Sequence, residues 1–189
     1  DDDVCPGSRL YGILSALDRR TLMPDFSLPA ALFLSFIVVQ RFSELLIARR
    51  NTKKLLRQGA REIGAGHYPV MVVLHAAWLL ALIGFGYNQP VSTGWLLVFA
   101  GLQMFRIWIL ISLGERWTTR IIILDRPLVT SGPFAYLKHP NYCLVVAEIF
   151  VAPMVLGLLQ VAILFSVLNA VMLYVRIRVE ERGLTDMRK

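Results

Sequence analysis

Residues 143–175 read CLVVAEIFVAPMVLGLLQVAILFSVLNAVMLYV, 33 positions in which a charge or an amide intervenes only at Glu148, Gln160 and Asn169. As one straight helix this block would be about 50 Å long, against a bilayer hydrocarbon core of about 30 Å. It is too long for one span and too short for two full ones. Pro153 removes a helical hydrogen bond near its middle, and Gly157 admits a tight turn. The stretch therefore predicts a hairpin of two short helices.

The charges on either side support the hairpin. Arg176, Arg178, Arg182, Arg188 and Lys189 follow it, and Arg116, Arg120, Arg126 and Lys138 precede it. Both flanks belong on the cytoplasmic side by the positive-inside rule. Further upstream, three apolar stretches at about 28–48, 68–87 and 94–113 read as membrane spans. The second and third are joined by the uncharged turn NQPVST. Between the first two lies RRNTKKLLRQGAREIGAGHYP, a polybasic juxtamembrane loop with six basic residues and the single acid Glu62. It is expected to act first as a topology determinant, and contact with anionic lipid head groups is compatible with it. The three segments assigned to the inside hold fifteen Lys and Arg, and the N-terminal tail holds three. The expected protein is all-α and integral to the membrane. It has five membrane helices, the N-terminus outside and the C-terminus inside.

Composition agrees. The chain of 189 residues is 56% hydrophobic and 17% charged, with mean hydropathy +0.58 and net charge +7. Soluble domains are typically about 45–50% apolar, so disorder and a disulfide-rich secreted scaffold are excluded, and the long apolar blocks argue against a soluble enzyme. No aromatic–basic interleaving points to nucleic acid. Residues 1–27 lack the apolar core of a signal peptide. Met23-Pro24 reads as a natural start, which would make residues 1–22 either non-native or an upstream extension, in both cases without functional weight. Residues 28–189 are expected to form a single membrane domain.

Charges inside the apolar stretches need partners. Arg106 is expected to pair with Glu148 as a structural ion pair. Arg41 and Glu44, one turn apart, read as a pair snorkelling at a helix end. Cys5 and Cys143 are not expected to meet, and Cys143 reads as a small buried hydrophobe. The three histidines are too scattered for a metal site. No nucleophile elbow is present. GAGH at 64–67 follows no expected strand and so is not a dinucleotide fingerprint.

The densest polar sequence is RPLVTSGPFAYLKHPNY at 126–142, where prolines and a glycine stiffen the chain as it re-enters the bilayer. RIRVEERGL at 176–184 leaves the bilayer at the other end of the hairpin. The hairpin should bring 139–142 close to 176–180, gathering an imidazole, a phenol, a guanidinium and one or two carboxylates. Arg176 and Glu180 stand four apart on one helix face.

These two motifs, in this order and separated by an apolar hairpin, resemble the isoprenylcysteine carboxyl methyltransferase family, whose wider group includes membrane phospholipid N-methyltransferases. The family pattern is G-x-aromatic-x-x-x-R-H-P-x-Y followed by R-x-x-x-E-E-x-x-L. Here Lys138 replaces the usual Arg and Phe134 the common Tyr, while Arg176, Glu180, Glu181 and Leu184 fit the second part. The likeness covers about 126–184. RFSELLIARRN and GHYPVMVVLHAAW in the first half are similar to the bacterial branch.

The resemblance implies a cytoplasmic pocket, within about 114–189, for S-adenosyl-L-methionine as methyl donor. It implies that Arg126, Pro127, Leu128, Val129 and Phe134 line that cofactor, partly through backbone. His139, Pro140, Asn141, Tyr142 and Glu180 complete the pocket, with Arg176 and Glu180 in the catalytic roles. Arg176 would face the acceptor. It also implies a lipophilic acceptor: an isoprenylcysteine carboxylate or, on the bacterial side, an alkylpyrone-type enol or an alkylphenol. A bacterial plasma membrane is the expected location. Methyl transfer neutralises charge in its transition state, so it profits from a dry pocket and in-line positioning, and no metal is required. Two other readings stand beside it. HPNY also occurs in NADPH-dependent membrane sterol reductases, and a polybasic membrane scaffold would need no active site at all.

Overall fold

The computed structural model describes residues 27–123, 127 and 129–186. The N-terminal tail with Cys5, and Arg126, Leu128, Arg188 and Lys189, lie outside the described residues. Five α-helices run through the described part: α1 (Leu28–Arg57), α2 (Tyr68–Gly86), α3 (Thr93–Leu113), α4 (Pro140–Val155) and α5 (Leu159–Asp186). Four of them, all but α4, are long and apolar enough to cross a membrane. Leu80, Phe85, Leu97, Met104, Ile111 and Val171 lie exposed on their outer faces, as suits helices solvated by lipid.

The hairpin forms where the sequence places it. Pro153 sits in the last turn of α4, and Gly157 takes φ +69 in the turn that follows. Its limbs are unequal, however. The first has 16 residues, about 24 Å. The second has 28, about 42 Å, and is not a short helix. It stays helical through 176–186 because that charged stretch contains no breaker other than Gly183.

Two further expectations are corrected. The polybasic segment is not a loop at its start: α1 continues through Arg49, Arg50, Lys53 and Lys54 to Arg57. The run RRNTKKLLR contains neither Gly nor Pro, and the helix ends only before Gly59, at φ +89. Asn51 Nδ2 anchors this extension on the carbonyls of Gly114 (3.2 Å) and Trp117 (2.9 Å). The described fold is all-helical as expected but for one short two-stranded ribbon, which the sequence reading of GAGH did not anticipate. Strand β1 (Arg61–Ile63) pairs antiparallel with β2 (Ile121–Ile123), Glu62 opposite Ile122. The β-branched run Ile121, Ile122, Ile123 favours this extended form. GAGH therefore does follow a strand. That strand belongs to an antiparallel ribbon, and position 69, where a third glycine would stand, is Pro69.

The core lies between α1, α2, α3 and the hairpin. Phe33 meets Phe99 edge to face at 5.1 Å, and Trp78, Leu82, Ile149, Ala152 and Val155 are buried around them. Gly86 lets α2 close onto the hairpin turn: a Cβ there would come within 2.5 Å of Leu156 Cδ1. At the opposite end, the Lys54–Glu115 and Lys138–Glu181 ion pairs and the ribbon collect the basic segments together.

Candidate active site

Buried polar side chains hold three helices in register. Arg106 on α3 donates to Glu148 Oε1 on α4 at 2.8 Å and to Glu44 Oε1 on α1 at 2.6 Å. Arg41 donates to Glu148 Oε2 at 2.8 Å and to Glu44 at 3.1 Å. Gln103 and Gln40 complete the network, Gln103 donating to Glu148 at 3.0 Å. The expected Arg106–Glu148 pair is present. Arg41 and Glu44 do pair, yet not as a snorkelling helix end. Glu44 is buried, and both residues belong to a four-charge cluster with no net charge.

Against this cluster opens a cavity of about 290 Å³. Arg41, Glu44 and Arg106 line it at one side, and Asn141, Tyr142 and Arg176 at the other. Met71, His75, Asn169 and Met172 are among the residues between.

Tyr142 and Arg176 form the wall at the second side. Arg176 Nε donates to the Tyr142 hydroxyl at 3.0 Å, and the guanidinium lies over the ring, 5.4 Å from its centroid. The hydroxyl in turn donates to Glu180 Oε2 at 2.5 Å. His139, the N-cap of α4, stacks against Tyr142, ring centroids 5.3 Å apart. The hairpin thus brings His139, Tyr142, Arg176 and Glu180 together as expected. Arg176 and Glu180 meet through the phenol and not as a direct ion pair.

Pro140 is buried at the first turn of α4, and Asn141 lines the cavity. Phe134 is half-buried in a short 3₁₀ turn, Gly132–Ala135. Pro127 is exposed, its carbonyl taken by Arg116, and Val129 is half-buried. Neither lines the cavity. Arg126 and Leu128 lie outside the described residues. Cys143 is exposed, not buried, because its position on α4 points away from the core. The sequence reading missed the wall residues Met71, His75 and Asn169. His75 and Asn169 were visible only as isolated polar breaks in apolar runs. Outside the spans, Arg120 donates to both Glu62 oxygens at 2.9 Å, and that hydrogen bond pushes its pKa above the ordinary guanidinium value.

Gly132 fixes the turn to α3. Its φ is +62, and a Cβ there would collide with Ser112 Oγ and lie 3.3 Å from Trp108 Nε1. Gly132→Ala is expected to cost about 1–2 kcal/mol from the left-handed backbone alone. Thermal unfolding in detergent checks this, and an unchanged midpoint would show that the turn is not pinned.

The sequence profile of the isoprenylcysteine carboxyl methyltransferase family matches residues 95–186, the part from α3 through the hairpin that carries both motifs. The chain belongs to that family. It is 38% identical over 161 residues to YpbQ of Bacillus subtilis, an uncharacterized protein, covering 82% of this chain and 96% of YpbQ. It is 28% identical over 160 residues to an uncharacterized protein of Haemophilus influenzae, covering 80% and 92% respectively. No solved structure matches it. Family and helices together make this an integral, multi-pass membrane protein of a methyltransferase family.

Proposed function

We propose that the protein is an S-adenosylmethionine-dependent O-methyltransferase acting on the carboxylate, enol or phenol of a lipophilic acceptor, an isoprenylcysteine or an alkylpyrone among them. One observation carries the reading: the Tyr142–Arg176 wall borders the cavity, and Tyr142 also stacks on His139 and donates to Glu180. A donor and an acceptor held at that wall would meet across it.

The residues fit the cofactor's chemistry. His139 Nε2 is buried without a hydrogen-bond partner. Glu180 has only one oxygen engaged by Tyr142, which leaves the other for an ammonium or a ribose hydroxyl. When bound, the cofactor supplies an electrophilic methyl group on a sulfonium. The chain's task is then positional. Tyr142 orients Glu180, and Arg176 offers a planar donor edge to an acidic oxygen. The apolar walls exclude water, which favours a step that neutralises charge. Pro127, Val129 and Phe134, with Arg126 and Leu128, would border the cofactor from the preceding segment, and Pro140 and Asn141 from the helix start.

The acceptor would enter laterally from lipid. The basic charge gathered at this end of the bundle supports a cytoplasmic active site in a bacterial plasma membrane, with α4 as the fifth membrane helix. Exposed Arg49, Arg50, Lys53 and Arg57 on the α1 extension would meet anionic head groups.

Calorimetric titration with S-adenosylhomocysteine tests the assignment. Binding is expected to weaken roughly 10–150-fold in Glu180→Ala and in His139→Ala, the loss typical of a charged hydrogen-bond partner. Parent-like binding by both variants removes these residues from the site. Binding of NADPH in place of S-adenosylhomocysteine would favour the reductase reading.

A further inference from the structure

The cavity carries polar groups at two depths. Asn141, Tyr142 and Arg176 stand at its surface end. Asn169 lines it from two turns earlier on α5, about 10 Å deeper along the helix. Asn169 is 2% exposed, and its Nδ2 has no hydrogen-bond partner. A buried amide of that kind is seldom left unmatched in a folded protein.

His75 lines the same cavity from α2. It lies two turns in from Tyr68, whose hydroxyl contacts Thr119 at the surface end. His75 Nδ1 is 2.8 Å from the Met71 carbonyl. A carbonyl only accepts, so Nδ1 carries the proton, and in the neutral form of the ring Nε2 is an acceptor. Met71 on α2 meets Arg176 on α5 toward the surface end, and Gly86 faces Leu158 at the other, so the two helices run antiparallel and both side chains lie inward of that surface contact. The neighbouring charge cluster is balanced within itself, so this part of the cavity suits a neutral dipolar group and not an ion.

We infer that Asn169 and His75 form a second recognition point, for a hydroxyl or carbonyl oxygen on the acceptor's chain, about 10 Å from the oxygen that receives the methyl group. The inference rests on the acceptor site proposed above. A hydroxyl suits it best, accepting from the carboxamide and donating to the imidazole. An unbroken hydrocarbon tail would leave both groups unsatisfied. The acceptor class is therefore an oxygenated amphiphile, in preference to a plain alkyl or prenyl one.

Trp78 and Trp117 line the cavity, so intrinsic fluorescence reads occupancy without turnover. The probes are a straight-chain fatty acid and a positional series of its hydroxy derivatives, titrated into the full chain in detergent. One mid-chain isomer is expected to bind about tenfold tighter than the unsubstituted acid, the scale of one good buried hydrogen bond. That preference should vanish in Asn169→Leu and shrink in His75→Leu, with S-adenosylhomocysteine binding intact in both as the check on folding. A flat positional series, no saturable quenching by any member, or the same preference in both variants overturns the proposal. If S-adenosylhomocysteine fails to bind the parent protein while the hydroxy-acid preference holds, the methyltransferase reading fails and the inner site stands.

Discussion

Glu148→Leu is expected to destabilise the protein by about 3–5 kcal/mol, the loss typical of breaking a buried ion pair on one side. The side chain is fully buried and takes hydrogen bonds from Arg41, Gln103 and Arg106, so it ties α1 and α3 to the hairpin. Removing it leaves two guanidiniums against one remaining carboxylate, Glu44, in a medium where an unmatched charge is costly. Unfolding midpoints in detergent measure the effect. The decisive comparison is the double variant Arg106→Leu/Glu148→Leu. It removes one charge of each sign and leaves Arg41 with Glu44, so it should recover much of the loss. A double variant as unstable as the sum of its parts would show that the cluster acts through something other than charge balance.

That cluster also marks how far the sequence could be read. The partnership of Arg106 with Glu148 was legible, because a charge in an apolar run demands a partner and few were available. The spans at 68–87 and 94–113, and the hairpin break at Pro153 and Gly157, were legible for a similar reason. Hydropathy and backbone constraint are local properties, and they survive in a one-dimensional string. The enrolment of Arg41 and Glu44 was not. Their three-residue spacing satisfies itself, and nothing in it shows that a third helix passes beside them. The continuation of α1 to Arg57 is hidden because a polybasic run beside a span resembles a loop, whereas a helix loses nothing by leaving the bilayer among basic residues. The ribbon of β1 and β2 joins residues some sixty positions apart, and three isoleucines are too short a signal to announce it. In the site, the meeting of His139 and Tyr142 with Arg176 and Glu180 followed from the hairpin. The cavity beside them did not, since it is a space left between helices and not a property of any one of them.

Arg176→Ala is expected to lower turnover by roughly 10²–10³-fold, the scale for loss of one preorganised donor at a developing charge. Cofactor binding should change far less. Arg176 lines the cavity, is 8% exposed, and donates to the Tyr142 hydroxyl, which in turn donates to Glu180. Its Nη1 lies against Met71 Sδ at 2.6 Å, a soft partner that an anionic oxygen would readily displace. Arg176→Lys should recover only part of the activity. A lysine keeps the charge, but it cannot stack on Tyr142, donate to its hydroxyl and present a two-pronged edge to an acid at once. The measurement is single-turnover methyl transfer alongside S-adenosylhomocysteine affinity in the same preparations. An equal fall in both would mean that Arg176 acts by holding Tyr142 and Glu180 in place. Lost turnover with retained affinity would mean that it meets the acceptor. Full activity in Arg176→Ala would remove it from the acceptor site, because no other guanidinium among the described residues shares that wall with Tyr142.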